Sequence, residues 1–134
     1  MSEIIAPPPQ NLNAEQCVLG CMMLEHSALE TGLSMLSAED FIRPSHQVIF
    51  GALEELRDED TPPDLLTLND KLKAAGKLDD VGSAEYLIAL VNTVPTAANI
   101  KHYAKIVRRY SILRKQQAIG CELQGMVSGG NCDP

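Results

Sequence analysis

The residues most suited to binding chemistry lie between Lys101 and Lys115, where six basic side chains occur without an acidic one. Lysine and arginine groups that converge on one surface can contact the phosphates of a nucleic acid. Five of these side chains are candidate phosphate contacts: Lys101, Lys105, Arg108, Arg109 and Lys115. Stacking on bases also needs exposed aromatic rings, but Tyr103 and Tyr110 belong to the apolar stripe of the same predicted helix. The pattern predicts phosphate contact without readout of base sequence.

The charge of the chain is distributed unevenly along its length. The formal net charge is -7, but residues 1–100 hold 5 Lys or Arg against 16 Asp or Glu, and residues 101–134 hold 6 against 2. Opposite charges on the two parts attract each other or attract opposite partners. The basic run can therefore complement the acidic part of the chain, or a neighbouring subunit, as readily as a phosphate backbone.

The other clusters that could carry chemistry have structural interpretations. Cys17 and Cys21 share one helical face, which could supply half of a metal site, but the three histidines are scattered and packing in the core is favoured. The acidic run from Glu54 to Asp60 is interpreted as a solvated helix end. No phosphate-binding loop, nucleophile elbow or dinucleotide-binding glycine pattern occurs. We predict no catalytic, cofactor-binding or metal-binding residue in this chain.

The elements that position these residues are predicted to be helices. Of the 134 residues 45% are apolar but only 4% are aromatic, and Ala, Leu, Glu, Lys and Gln are plentiful between Gly and Pro breaks. No apolar run approaches the roughly 18 to 20 residues that cross a bilayer, and the N-terminus carries Glu3 and three prolines rather than a targeting pattern. We expect an all-α, cytoplasmic protein without a membrane partner.

Local signals indicate where the helices begin and end. Asn13 followed by Gln16 resembles a capping box for the first helix. A second helix is predicted over residues 27–36 from its leucine spacing. Further caps and helix ends are predicted at Ser37 with Asp40, at Pro44, at Asp64, at Gly76 and at Asn99.

The predicted organisation is a compact globular head of about five helices followed by one long helix. An extended arm is predicted over residues 1–12, the head over 13–95, the long helix over 96–127, and a disordered tail or linker start over 128–134. The apolar stripe of the long helix consists of Tyr103, Ile106, Val107, Tyr110 and Leu113. We expect this stripe to pack against other helices.

Three long segments in a fixed order resemble one known family. They are NLNAEQCVLGCMML, AEDFIRPSHQVIFGALEEL, and the stretch from PPDLLTLND to KIVRRYSILRK. Together, over about residues 8–123, the chain resembles the N-terminal domain of the DnaB family of replicative DNA helicases. It departs from the family at Ser83, where a second glycine is common, at Arg109, where an acidic residue is frequent, and at Gln116 and Gln117, which are usually more apolar.

The resemblance implies a non-catalytic module for assembly and docking in DNA replication. In this family the long helix begins an antiparallel hairpin, whose second helix would lie beyond Pro134. The heads and hairpins pair into dimers that form a collar on a hexameric ring, and the collar docks primase and leaves a passage for single-stranded DNA. ATP and magnesium would belong to a separate motor domain that follows. The resemblance implies five candidate residues for the partner interface, namely Tyr86, Tyr103, Val107, Tyr110 and Leu113.

Two alternative functions remain open from the sequence. One is a stand-alone helical adaptor of phage or plasmid origin that binds a host helicase. The other is a weak module for binding single-stranded DNA that uses the basic side of the long helix.

Overall fold

The computed structural model describes residues 9–128, with side-chain surroundings for residues 9–118. Six α-helices occur in this part of the chain: α1 Leu12–Leu24, α2 His26–Met35, α3 Pro44–Asp58, α4 Leu65–Ala74, α5 Ser83–Val91 and α6 Ile100–Ser128. Two short 3₁₀ turns, Ala38–Asp40 and Asp79–Val81, join them, and the described residues contain no strand. The prediction of an all-α head followed by a long helix is confirmed. The predictions for residues 1–8 and 129–134 lie outside the described residues.

Helix α1 is the central helix of the head. It contacts α2, α3, α5 and α6, and Val18, Leu19, Cys21 and Met22 have no exposed surface. A helix in contact with neighbours on several sides has apolar residues around most of its circumference. The sequence GCMML at the end of α1 is apolar on all sides in this way. The first helix of the chain therefore lies at the centre of the core.

Gly20 lies where α1 comes close to the end of α5. A Cβ atom at this position would be 2.3 Å from the carbonyl oxygen of Leu90, whereas a Cβ at Gly51 in α3 would meet no atom within 4 Å. We expect Gly20→Ala to lower the free energy of unfolding by about 1–3 kcal/mol through overpacking. Gly51→Ala, the matched control, should raise it by about 0.5–1 kcal/mol. Urea denaturation followed by circular dichroism measures both, and equal effects would contradict the close approach.

Two predicted helix starts differ from the structure. The N-cap of α1 is Asn11, whose side chain accepts a hydrogen bond from the backbone N–H of Ala14 at 3.0 Å. The prediction of Asn13 was wrong because Asn13 already lies inside the first turn. The long helix begins at Ile100 rather than at residue 96. Asn99, which was predicted to bond at the start of this helix, accepts through its carbonyl from the N–H of Tyr103 at 3.1 Å.

The other predicted caps are confirmed. Asp64 and Thr67 form a reciprocal capping box at the start of α4. Gly76 adopts a positive φ of 71° just after α4, which suits a residue without a Cβ. Pro44 occupies the first turn of α3, and the backbone N–H of Ser37 donates to the Asp40 carboxylate at 2.8 Å.

Ser83 adopts the left-handed conformation as the first residue of α5. Its φ is 64° and follows the φ of 98° at Gly82. A left-handed non-glycine residue costs on the order of 1 kcal/mol. A glycine at this position would adopt the same conformation without that cost.

Candidate partner interface

Helix α6 presents three different faces along residues 100–118. The first face is buried against the head and consists of Ile100, Ala104, Val107 and Ser111, each at most 7% exposed. Val107, one of the predicted interface residues, lies on this face and is therefore part of the core. The polar Ser111 on this face donates a buried hydrogen bond to the Asp40 carboxylate.

The second face of α6 is a half-exposed apolar seam, defined by Tyr103, Ile106, Tyr110 and Leu113. The first three are half-buried and Leu113 is 40% exposed. Their spacing alternates between three and four residues, which is the pattern of a helix that packs along another helix. The seam thus contains three of the predicted interface residues, and no described element covers it fully.

The third face of α6 carries the basic side chains. Lys101, Lys105 and Arg109 are exposed at intervals of four residues, and they form no salt bridge within the described residues. The guanidinium of Arg109 lies over the ring of Tyr110, 5.3 Å from its centroid. The structure therefore leaves three of the five candidate phosphate contacts available on one side of the helix.

The other two candidate phosphate contacts are paired with acidic residues of the head. Arg108 Nη1 lies 3.3 Å from Asp40 Oδ1, and Lys115 Nζ lies 3.4 Å from Glu39 Oε1. The expectation that the basic run complements the acidic part of the chain is confirmed for these two residues.

Asp40 is a fully buried carboxylate that joins the head to α6. It accepts hydrogen bonds from the hydroxyl of Ser111 at 2.7 Å and from the backbone N–H of Ser37 at 2.8 Å. Desolvation by burial opposes its ionisation, but the bonds from Ser37 and Ser111 and the charges of Arg108 and Lys115 outweigh this effect. The pKa of Asp40 is therefore lowered from its ordinary value.

Arg114 attaches α6 to two further segments of backbone. Its Nη1 donates to the carbonyl of Pro9 at 2.9 Å, and its Nη2 donates to the carbonyl of Asp40 at 2.6 Å. One guanidinium can hold both carbonyls because its donors have a fixed planar geometry. The arm before α1, the turn before α3 and the long helix are thereby fixed together.

A second buried group of polar side chains begins at Glu15 of α1. Glu15 Oε1 is 2.7 Å from His46 Nδ1, and His46 Nε2 is 2.6 Å from the hydroxyl of Tyr86. Glu15 is 2% exposed and His46 is fully buried. When Nδ1 carries the ring proton, His46 donates to Glu15 and accepts from Tyr86. The other oxygen of Glu15 accepts from the backbone N–H of Ile42 at 2.8 Å.

This polar chain positions Tyr86, which was predicted as a partner-facing residue. The Tyr86 ring is half-buried and stacks on His46 with an interplanar angle of 14°. Arg43 lies over the same ring, 5.9 Å from its centroid, and Gln16 Nε2 donates to the hydroxyl at 3.3 Å. The pairing of Glu15 with His46 was not predicted from the sequence. The available signal was a carboxylate on the apolar face of α1, since a buried charge requires a partner.

Cys17 and Cys21 are free thiols on α1, as their spacing predicted. Cys21 is buried and Cys17 is half-buried. Desolvation by burial, followed by the nearby Cys17 and Glu25, raises the pKa of Cys21 to about 11. Such a thiol remains protonated at neutral pH and packs as a small apolar group. Within residues 9–118 no three His, Cys, Asp or Glu side chains are grouped so that they could hold a metal ion.

The family model described as the DnaB-like helicase N terminal domain matches residues 7–109, which is most of the chain. The chain belongs to this family of DnaB-like helicase N-terminal domains. The family assignment agrees with the resemblance that the ordered sequence segments indicated.

Known proteins similar to this DnaB-type domain include both sequences and solved structures. The chain is 48% identical to the replicative DNA helicase DnaC of Bacillus subtilis over 108 residues, which are 81% of this chain and 24% of that helicase. It is 39% identical to the N-terminal domain of the Mycobacterium tuberculosis DnaB helicase, with a TM-score of 0.83 over 92% of this chain and 86% of that structure. The Helicobacter pylori N-terminal domain, described with its interactions with primase, has 24% identity and a TM-score of 0.71 over 87% of this chain and 90% of that one, and it supports the fold.

The chain spans about a quarter of the length of the curated helicases that it matches. No described helix is both long enough and apolar enough to cross a membrane.

Proposed function

We propose that this chain is a non-catalytic domain that assembles a replicative DNA helicase and docks primase on it. The observation that carries the proposal is the apolar seam on α6 of a DnaB-type N-terminal domain. Because Leu113 is 40% exposed and Tyr103, Ile106 and Tyr110 are half-buried, the seam offers apolar surface for a further helix. The helices we propose for it are the second arm of the hairpin and the hairpin of a neighbouring subunit.

We propose that primase docks on the head near Tyr86. Its ring is held on one side by His46 and bordered by Arg43, so the side chain is fixed before a partner arrives. An aromatic residue that loses little conformational freedom on binding is a favourable contact residue. The Helicobacter pylori relative, which shares the fold, is described as interacting with primase.

In the full-length protein, ATP and magnesium would bind to a separate motor domain. The matched helicases are about four times as long as the aligned segment, which leaves room for such a domain in those proteins. We propose that dimers of this domain build a hexameric ring in the cytoplasm and that single-stranded DNA passes through the assembled ring.

Light scattering of the chain, alone and with the C-terminal domain of primase, tests both parts of the proposal. We expect self-association that Tyr110→Asp with Leu113→Asp abolishes, because two charges would be placed in the seam. Tyr86→Ala should weaken primase binding at least about tenfold without changing the mass of the oligomer. Leu66→Asp is the matched control, because Leu66 is 75% exposed and lies on α4.

Two results together would overturn the proposal. These are a strictly monomeric chain and the absence of primase binding by a longer version with the complete hairpin.

A further inference from the structure

We propose that the groove between the end of α2 and the outer side of α6 binds an acidic amphipathic helix of a partner protein. The groove is lined by apolar and basic side chains, namely Met35, Lys105, Arg108, Arg109, Ile112, Leu113 and Gln116. This inference rests on the proposed docking function and names the chemistry of a second partner surface. It shares Leu113 with the seam, and its other residues belong to the basic face of α6 and the end of α2.

The floor of the groove is apolar. Met35 is half-buried at the end of α2, while Ile112 and Leu113 are 41% and 40% exposed. Only five large apolar residues among those with described side chains are at least 39% exposed, and two of them are adjacent here. Covering this surface with the apolar side of a helix would be favourable by about 25 cal/mol per Å². The methionine adapts its shape to different partners because its side chain is flexible.

The rim of the groove is positively charged and available. Arg108 is engaged by the Asp40 carboxylate, but Lys105 and Arg109 have no acidic partner among the described residues. Arg109 is oriented by the ring of Tyr110. The two free cations are four residues apart, about 6 Å along the helix axis. Carboxylates at the same spacing on a partner helix would meet them, which makes an acidic helix the complementary occupant.

The side chains that line the groove suit a protein partner better than a nucleic acid. A phosphate backbone needs cations, but it gains nothing from Met35, Ile112 and Leu113. Stacking of bases needs an open aromatic face, and the Tyr110 ring is half-buried with Arg109 over it. The net charge of -7 also repels acidic partners from most of the chain. The groove is therefore a place where an acidic segment would be selectively attracted.

The test uses two fluorescein-labelled probe peptides and fluorescence anisotropy. Both are 18-residue amphipathic helices with leucines along one side, and one has Glu and the other has Lys on the flanks. We expect the Glu peptide to bind this chain at least tenfold more tightly than the Lys peptide.

Three variants of the chain test the residues of the groove. Lys105→Glu with Arg109→Glu should reverse the preference for the Glu peptide, and Ile112→Asp should weaken the binding of both peptides. Lys73→Glu with Lys77→Glu is the matched control, since both lysines are exposed on or after α4, and it should change affinity less than twofold.

Three results would overturn the inference. One is equal binding of the two peptides, or no binding of the Glu peptide at millimolar concentration. The second is displacement of the Glu peptide by an oligo-dT strand with a steep dependence on salt, which would make the groove a phosphate site. The third is a change in oligomer mass on Lys105→Glu with Arg109→Glu, which would make a second copy of the chain the occupant. Failure here with intact self-association and primase binding leaves the proposed function standing.

Discussion

Replacing His46 with alanine should lower the free energy of unfolding by about 3–5 kcal/mol. The substitution leaves the Glu15 carboxylate, which is 2% exposed, without its partner at 2.7 Å. A buried charge that loses its partner costs about this amount. The hydroxyl of Tyr86 would also lose its contact with Nε2 at 2.6 Å. Urea denaturation monitored by circular dichroism at 222 nm measures the change.

The control for this prediction is His102→Ala, because His102 is exposed on α6. It should change stability by no more than about 0.5 kcal/mol. The double variant Glu15→Ala with His46→Ala should lose less than the sum of the two single variants, since the two groups interact directly. Additive losses, or a His46→Ala protein as stable as the control, would mean that Glu15 is compensated by other groups.

Replacing Asp40 with alanine should cost about 3 kcal/mol or more. Asp40 is fully buried, and the N–H of Ser37 and the hydroxyl of Ser111 would lose their acceptor. Hydrogen bonds to a charged group contribute about 1.5–3 kcal/mol each. The same denaturation measurement applies. Asp70→Ala is the matched control, because Asp70 is exposed on α4, and it should have an effect within about 0.5 kcal/mol.

The contribution of Asp40 should also depend on pH. Its pKa is lower in the folded protein than its ordinary value, so the folded state binds this proton less readily than the unfolded state does. The stabilisation is therefore present above the unfolded pKa of about 4, and it is lost as pH falls through the folded pKa. The difference in stability between the wild type and Asp40→Asn should shrink below about pH 4. A constant difference from pH 7 to pH 3 would show that the charge of Asp40 is not stabilising.

The helices and most of their ends could be predicted because the signals are local. Asp64 and Thr67 are three residues apart, and Pro44 and Gly76 act through their own backbone angles. A cap can be read from a few neighbouring residues in this way. The error at Asn13 arose because Asn11 also has a capping side chain, and the chain offers both within three positions.

The buried side of α6 and the polar chain through His46 were not predictable in the same way. On α6, Ser111 is buried and Leu113 is exposed, which reverses the order of their hydrophobicity. Ser111 is buried because its hydroxyl bonds to Asp40, which is 71 residues earlier in the chain. His46 meets Glu15 across 31 residues. Such pairs depend on the packing of whole helices and leave no periodic signal in the sequence.

The attachment of Asp40 and the arm to α6 also constrains when the domain can complete its fold during synthesis. Arg108, Ser111 and Arg114 follow Asp40 by 68, 71 and 74 residues, and Arg114 follows Pro9 by 105. Contacts this distant in sequence close large loops and form late. A nascent chain on the ribosome would thus contain all of α1 to α5 while Asp40 still lacked its side-chain partners from α6. The head should therefore remain incompletely closed until the long helix has been translated.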